Sequence, residues 1–384
     1  MTEKPIICDP RSHVLLRLSK IGKEKGAKVS LEKGYTIALP RFEAAASFQT
    51  RFSWQRQRTR EAKGRQQFAF TSPLVKAPAQ LSSFQYSPIN NLGTIRLIRL
   101  RPSQDFEAGI RCRLIKTKLK KCSLDLAAHF VALSCVWGDK AERKKLRIGL
   151  YALEITASLE YALRHIRDQN RVSYVWADGV CIDQDSIEDR NLQVSQMGVV
   201  YSTARSTIIF LGPSSPESDL VTKIISRGKG PPHILNPANG EDTVATSDTF
   251  AYSNMFEEHI MGATWFTRVW VLQELILSVN PLVQFGTRRM SWADFYTHAQ
   301  NHRRTSRPEL DSFNQIEIIK TKYYADSTNA DLRASAIWLL DILDRRRGAG
   351  VSDPRDMIYA HLSLCNIALR NYVPVDYSIS YEDL

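Results

Sequence analysis

The chain has 384 residues, of which 43% are hydrophobic and 24% charged, an ordinary composition for a protein with a buried core. No apolar run approaches the roughly 18 residues of a membrane-spanning helix, and the N-terminus lacks the apolar region of a secretory signal. The six cysteines form no C-x-x-C pair, which argues against a disulfide framework or a zinc ribbon. We therefore expect a soluble cytoplasmic protein without a membrane span, in a reducing compartment.

The net charge of +12 is concentrated at the front of the chain. Residues 1–90 carry 16 Lys and Arg against 6 Asp and Glu, and residues 91–125 carry 9 against 3, whereas residues 126–384 carry 27 against 31. We expect residues 1–90 to form a basic, poorly ordered extension, with residues 51–67 as its most mobile part. Contact with nucleic acid or another anionic surface, and nuclear localisation, are the less favoured alternatives for this stretch, and no recognised nucleic-acid motif accompanies the charge.

After residue 90 the hydrophobic pattern becomes regular. The predicted strands cover residues 95–100, 110–116, 130–137, 172–177 and 207–211. The last three are near-continuous apolar runs, which are typical of strands buried on both faces. Apolar residues at helical spacing predict helices over 156–168, with Thr156 as the N-cap, and over 186–204.

This alternation of strands and helices indicates an α/β fold with a mostly parallel sheet and flanking helices. Residues 214–249 are rich in Pro, Gly, Ser and Asp and predict a long surface loop. The helices predicted after this loop cover residues 250–278, in one or two pieces, and then 291–303, 330–347 and 353–369. We therefore expect an α/β domain over residues 91–285, followed by a mostly helical C-terminal region over 286–384.

The glycine-rich phosphate-binding motifs are absent, and so are the H-E-x-x-H and G-x-S-x-G motifs. His298 and His302 are one helical turn apart, but no nearby carboxylate completes a set of metal ligands. We therefore predict no metal site and no bound cofactor.

Three segments are more distinctive than a general α/β pattern. They are ALSCVWGD at residues 132–139, WADGVCIDQD at 176–185 and WFTRVWVLQE at 265–274. In this order, and together with DPRD at 353–356 and DYS at 376–378, they resemble the fungal heterokaryon incompatibility (HET) domain family. The resemblance covers roughly residues 92–280 and implies a domain that triggers regulated cell death when non-self fungal cells fuse.

The chain departs from the family pattern at three positions. Cys135 stands where the family usually has Tyr, Asp183 where it has Asn, and Asp189 where it has Glu. The sequence also stops soon after residues 376–378, where family members usually continue.

A more distant similarity connects the same segments to Toll/interleukin-1 receptor (TIR) domains. It rests on Leu133-Ser134 to Gly138, on Trp176-Ala177-Asp178 and on the run from Trp270 to Leu275. In enzymatic TIR domains, a glutamate on the last of these segments cleaves the nicotinamide–ribose bond of NAD. The similarity implies a TIR-like sheet, Glu274 as the catalytic residue and NAD as a substrate.

The residues around Glu274 are compatible with that role. A continuous helix would place Phe266, Trp270 and Glu274 at four-residue steps on one face, beside an apolar stripe that runs from Trp265 to Ile276. A fixed carboxylate can stabilise the cationic ribose that forms when an N-glycosidic bond breaks. The alternatives are a glutamate on the exposed helix edge, paired with Arg268 or another base, and a self-association contact.

Other candidate substrate-binding residues lie near strand ends. Ser134, Asp139, Asp178 and Asp183 are expected at the carboxyl edge of the sheet, where Ser134 and Asp178 would meet Glu274. For each aspartate a cap or turn role is an equal alternative. Trp137, Trp176 and Trp270 are the aromatic candidates, although a core position is the favoured interpretation for Trp137 and Trp176.

Four further motif residues are predicted to be structural. Arg190 and Gln193 begin the helix after the second motif and are expected to hold the loop 179–185 in place, with contact to a substrate as the alternative. Arg268 and Gln273 are the structural residues of the third motif.

The sequence therefore favours an intracellular cell-death effector of the heterokaryon incompatibility type that cleaves NAD. The alternative is a non-enzymatic module that self-associates and recruits other death-signalling proteins.

Overall fold

The computed structural model describes residues 81–124, 129–227, 246–302, 309–325 and 331–384. Ten strands of this part of the chain form one mixed, mostly parallel sheet. They are β1 (Ser82–Ser83), β2 (Thr94–Leu100), β3 (Arg111–Lys118), β4 (Val131–Cys135), β5 (Arg143–Ile148), β6 (Tyr151–Thr156), β7 (Ser173–Trp176), β8 (Ser206–Gly212), β9 (Pro281–Phe285) and β10 (Arg288–Ser291). Their order across the sheet is β1-β6-β5-β3-β2-β7-β4-β8-β9-β10.

Helices surround the sheet. Those of the first half are α1 (Leu119–Leu124), α2 (Ala157–Ile166), α3 (Asp178–Cys181), α4 (Ile187–Ser195), α5 (Met197–Thr203) and α6 (Pro216–Arg227). Those of the second half are α7 (Thr246–Phe256), α8 (Val271–Ile276), α9 (Trp292–His302), α10 (Glu309–Ala325), α11 (Leu332–Arg345), α12 (Asp356–Leu362) and α13 (Ile367–Tyr372). The chain after β10 is thus mostly helical wherever the structure describes it.

The centre of the sheet confirms the predicted core strands. β4 pairs in parallel with β7 on one side and with β8 on the other. Val131, Ala132, Trp176 and Ile208 lie in these central pairings, and all except Val131 are buried. The apolar runs are therefore neighbouring strands covered on both faces, as their composition predicted.

Two hairpins were not predicted. β5 and β6 pair antiparallel, and so do β9 and β10. The sequence of β5, RKKLRI, buries Leu146 and Ile148 and turns its charged residues outward. A strand with one solvated face carries too few apolar residues to stand out in a charged stretch.

Several helix predictions need correction. The helix expected over 186–204 is broken at Gln196, whose φ of −108° and ψ of 2° separate α4 from α5. Residues 214–249 are not a continuous loop, because they contain α6. α10 was not predicted at all, and the helix expected over 353–369 is two helices, the second capped by the side chain of Asn366. By contrast, Thr156 caps α2 as predicted.

The helix expected over 250–278 is also interrupted. α7 continues into a π-helical turn, Glu257–Met261, which is followed by a 3-10 turn, Thr264–Thr267, before α8 begins. Trp265 and Glu274 therefore lie on different elements, and the continuous apolar stripe expected between residues 265 and 276 is wrong.

Residues 81–90, assigned by sequence to the extension, contact the α/β domain. β1 pairs in parallel with β6, and Ile89 is buried. The Tyr86 hydroxyl donates to the Val180 carbonyl oxygen at 2.9 Å, and the Ser87 carbonyl oxygen accepts from Arg96 at 2.8 Å. The rest of the predicted extension, including residues 51–67, lies outside the described residues.

Gly198 of α5 marks a close approach between helices that support the sheet. A methyl group at this position would come within 2.5 Å of the Ser363 Cβ and 2.9 Å of a Leu277 methyl carbon. We therefore expect Gly198→Ala to lower the free energy of unfolding by about 1–3 kcal/mol, because the packing must shift to admit it. Urea unfolding measures the change. Gly109→Ala is the control, since nothing lies within 4 Å of its added methyl, and an equal loss in both variants would contradict the prediction.

Candidate active site

The candidate site begins at the carboxyl ends of two neighbouring parallel strands. Ser134 is the penultimate residue of β4, and Asp178 follows β7 by two residues. Because β4 and β7 are parallel neighbours, these residues lie at the same edge of the sheet, where open α/β sheets bind ligands.

Glu274 of α8 reaches this edge and is almost completely buried, with 1% of its surface exposed. The Ser134 hydroxyl donates to Glu274 Oε2 at 2.5 Å, and the Trp265 indole N–H donates to Ser134 Oγ at 2.6 Å. Arg268 donates to both carboxylate oxygens, each at 3.2 Å. Glu274 is thus buried rather than at an exposed helix edge, and it is paired with Arg268.

Asp178 lies close enough to this ion pair for the charges to interact. The Trp137 indole N–H donates to Asp178 Oδ2 at 3.1 Å, and the Gly179 backbone N–H donates to Oδ1 at 2.8 Å. Burial raises the pKa of Asp178 to about 6, with the positive charge of Arg268 opposing the rise and Glu274 adding to it. The structure therefore brings Ser134, Asp178 and Glu274 together from three distant parts of the chain.

Arg268 is the cation that balances these carboxylates. Its burial disfavours the charged form, but the neighbouring carboxylates of Glu274 and Asp178 outweigh burial and raise its pKa. Its side chain retains 16% exposure, against 2% for Glu274. Arg268 is therefore the more exposed member of the ion pair.

The raised pKa of Asp178 predicts a pH dependence of stability. An unfolded aspartate titrates near pH 3.9, so the folded state holds this proton more tightly. The stabilising contribution of the proton is present below about pH 4 and is lost as the pH rises through about 6. We therefore expect Asp178→Asn, which stays neutral, to gain stability relative to the original protein between these values. Urea unfolding at a series of pH values measures this, and a constant difference between the two proteins would contradict it.

Two buried residues border the ion pair. Burial raises the pKa of the Cys135 thiol and of the Tyr201 phenol, and the negative charges of Asp178 and Glu274 raise both further. Tyr201 also packs edge-on against Trp176, with ring centroids 5.5 Å apart. Trp176 is 0% exposed and is a core residue, the interpretation that the sequence favours for it.

Two of the predicted rim aspartates serve turns. Asp139 is exposed and accepts from the Ala141 backbone N–H at 2.8 Å. Asp183 accepts from the Asp185 backbone N–H at 3.3 Å. Such contacts are the turn role that stood as the alternative for each residue. The Trp270 indole N–H donates to Asp356 Oδ2 at 3.3 Å, and the Glu274 carboxylate is bound by Arg268.

The loop 179–185 is not held by Arg190 and Gln193 as predicted. Arg190 pairs with Asp353 at 3.4 Å and lies 3.9 Å from the ring centroid of Tyr377, while Gln193 donates to the Thr94 carbonyl oxygen at 3.2 Å. The loop is held instead by Asp189, which accepts from the Asp183 backbone N–H at 2.8 Å.

Asp189 forms a buried ion pair that sequence reasoning missed. Arg96 of β2 donates to its two carboxylate oxygens at 3.0 Å and 2.7 Å. The signal in the sequence is an arginine inside an otherwise apolar strand, but Arg99 lies in the same strand and shows the same pattern. The two arginines cannot be distinguished until the strand's neighbours are known.

The C-terminal region holds the segment that carries Arg268. Arg346, the C-cap of α11, donates to the Arg268 carbonyl oxygen at 2.7 Å, and the Gly350 N–H donates to the Thr267 carbonyl oxygen at 2.7 Å. Gln273, beside Glu274, donates to Ser363 Oγ at 2.7 Å. The helical region therefore fixes the backbone on both sides of the ion pair.

Within the described ranges, no helix is long and apolar enough to cross a membrane. No group of three or more His, Cys, Asp or Glu side chains is arranged to hold a metal ion in this same part of the chain. His298 of α9 instead lies 2.7 Å, through its Nε2, from the Tyr252 hydroxyl.

Comparisons with known proteins connect this site to one family. Residues 130–274 match the family model described as "Heterokaryon incompatibility protein (HET)". "Heterokaryon incompatibility protein 6, OR allele" of Neurospora crassa is 25% identical, over 51% of this chain and 34% of that protein, so the chain spans about a third of its relative's length. No solved structure matches the chain. The segment from 130 to 274 is thus similar to the heterokaryon incompatibility family. It contains all three sequence motifs and both residues of the Arg268–Glu274 ion pair.

Proposed function

We propose that the chain acts in cell death of the heterokaryon incompatibility type, and that its site hydrolyses the nicotinamide–ribose bond of NAD. The cell-death role is supported by the family match and by the Neurospora relative. The chemistry is supported above all by one observation. Ser134 and Glu274 are in hydrogen-bond contact at the carboxyl edge of the sheet, beside an aspartate whose pKa is near neutrality.

The reaction replaces the C1′–nitrogen bond of the nicotinamide ribose by a C1′–oxygen bond. The electron pair of the broken bond leaves with the nicotinamide ring nitrogen, and the attacking water loses one proton. Because its pKa is about 6, Asp178 is mostly ionised near pH 7 and is suited to accept that proton. The positive charge that develops on the ribose is stabilised by a nearby carboxylate, which is the role we assign to Glu274.

In this scheme Arg268 changes its ionic partner when the substrate binds. Glu274 is neutralised by Arg268 in the free protein. A guanidinium binds phosphate oxygens as well as carboxylates, and Arg268 is the more exposed member of the pair. We propose that the pyrophosphate of NAD draws Arg268 away and leaves the Glu274 carboxylate for the ribose. Ser134 and Trp265 keep that carboxylate in position.

A non-enzymatic recruitment module is the second candidate, and one observation favours it. Both carboxylate oxygens of Glu274 are already bound within the chain, as in an ion pair that only maintains structure. In that case the α/β domain would act by self-association or by binding other death-signalling proteins.

The purified full chain incubated with NAD separates the two candidates. We expect nicotinamide and ADP-ribose to appear in equal amounts by chromatography, and Asp178→Asn to slow their release. Intact NAD, with a chain that still induces cell death in fungal cells, would contradict the enzymatic proposal and favour recruitment.

A further inference from the structure

A second feature lies on the outer part of the sheet, on strands β2, β3 and β5. Arg99 is directly opposite Arg113 in the β2–β3 pair, and Arg111 is directly opposite Arg147 in the β3–β5 pair. Residues two apart on a strand share a face, and so do residues in register on neighbouring strands. One face of this region, the basic sheet face, therefore carries six cations: Arg99, Arg111, Arg113, Arg143, Lys145 and Arg147.

On β5 the cations of the basic sheet face point away from the core. The other face of β5 carries Leu146 and Ile148, which are buried with Leu159 of α2. Arg99 and Arg147 are half-buried, whereas the remaining four members are exposed. One acidic residue is in register with these cations: Glu154 of β6 lies directly opposite Lys145.

This arrangement is electrostatically unfavourable for the isolated chain. Like charges directly opposite one another on adjacent strands destabilise a sheet. Among the described residues none of the six forms an ion pair. Two arginine–arginine pairs in register thus raise the positive potential of this face, which favours a polyanionic partner.

An exposed apolar tip lies beside the same face. β5 turns into β6 at Gly149, whose φ of +62° is in the region that favours glycine and whose N–H donates to the Cys112 carbonyl oxygen. The next residues, Leu150 and Tyr151, are 76% and 49% exposed. Tyr151 is in register with Ile148 and lies on the opposite face, so Leu150 is the apolar residue that the turn places at the edge of the basic sheet face, three residues after Arg147.

We propose that the basic sheet face binds an anionic membrane surface, with Leu150 inserted into the lipid interface. Acidic headgroups match the six cations, and the boundary of the acyl chains removes the exposed leucine from water. Nucleic acid would satisfy the cations alone, because a leucine at the tip gains nothing from a phosphate backbone. The combination of a basic face with an apolar tip is what favours lipid.

Sedimentation of the full chain with lipid vesicles tests the charge component. The vesicles are phosphatidylcholine with or without phosphatidylserine, and we expect binding to the acidic vesicles that weakens with salt. Arg111→Ser combined with Arg113→Ser should weaken it by about 30-fold at low salt, as expected for two lost contacts with an anionic surface. The matched control is Lys223→Ser with Arg333→Ser, which removes two exposed cations from α6 and α11.

The control variant retains the basic N-terminal residues and has the same net charge as the test variant. An equal loss in both double variants would overturn the proposal, because it would assign binding to net charge alone. Arg143→Ser with Lys145→Ser is the second test variant, should the first unfold, and unchanged binding in a folded variant would also overturn the proposal.

Leu150→Ser tests the choice of lipid over nucleic acid. We expect it to weaken binding to acidic vesicles by about fivefold or more, since a leucine side chain gains from partial transfer out of water and a serine side chain does not. Val279→Ser, at another exposed apolar side chain, should have no effect. Unchanged vesicle binding by Leu150→Ser, together with duplex DNA binding that requires Arg111 and Arg113, would overturn the lipid proposal in favour of nucleic acid.

Discussion

Replacing Glu274 by glutamine is expected to slow nicotinamide release by about two orders of magnitude or more, the usual effect of losing one electrostatic stabiliser. Glutamine keeps the shape of the side chain and can still accept the hydrogen bond from Ser134, but it no longer opposes a positive charge on the ribose. Arg268 loses its anionic partner, yet it is partly exposed and remains close to Asp178, so we expect the fold to survive. Initial rates of nicotinamide release and a thermal unfolding curve measure both effects.

Glu317→Gln is the matched control for this substitution. Glu317 is also a buried glutamate that pairs with a cation, Lys320 at 3.2 Å, and its carboxylate accepts from the Trp292 indole N–H at 2.8 Å. It lies on α10, outside the three motifs. We expect it to change stability without changing the rate. A stable Glu274→Gln protein that induces cell death as well as the original would contradict the catalytic role and favour recruitment.

The central strands of the sheet could be predicted from the sequence because each of them is mostly apolar. Strands β4, β7 and β8 are covered on both faces, so they appear as apolar runs with no competing interpretation. β5 was missed because its outward face is occupied by Arg and Lys, which are also common in loops. What the sequence could not provide was the tertiary burial that decides which face of a charged strand is covered.

The site shows a similar limit. Glu274 was recognised by its motif, but the helix assumed around it does not exist, because a π turn and a 3-10 turn interrupt the chain before α8. Hydrogen bonding of Trp265 to Ser134 depends on that interruption and on packing from a strand 131 residues away. Local periodicity carries no information about such a contact. The turn roles of Asp139 and Asp183, by contrast, depend only on a backbone N–H two residues further along the chain, so they could be named from the sequence.

Removing the carboxylate of Asp189 on α4 is expected to destabilise the α/β domain strongly. Arg96 is 2% exposed and donates to Asp189, to the Cys181 carbonyl oxygen at 3.1 Å and to the Ser87 carbonyl oxygen at 2.8 Å. Asp189→Ala leaves this guanidinium buried without a counter-charge, which costs about 3–5 kcal/mol. It also frees the Asp183 N–H, so the loop 179–185 that begins beside Asp178 loses one of its anchors. Urea unfolding measures the loss.

A double variant shows whether the loss of stability in Asp189→Ala comes from the unpaired guanidinium of Arg96 or from the lost hydrogen bonds of Asp189. If the unpaired guanidinium is responsible, Arg96→Met combined with Asp189→Leu should recover much of the stability, since a buried ion pair replaced by apolar side chains of similar volume is often neutral. Asp219→Ala is the exposed comparison: its pair with Arg288 has side chains 42% and 53% exposed, and its loss should cost no more than about 1 kcal/mol. Equal losses for Asp189→Ala and Asp219→Ala would contradict the prediction. A double variant as unstable as Asp189→Ala would instead assign the cost to the hydrogen bonds that join β2 to the loop.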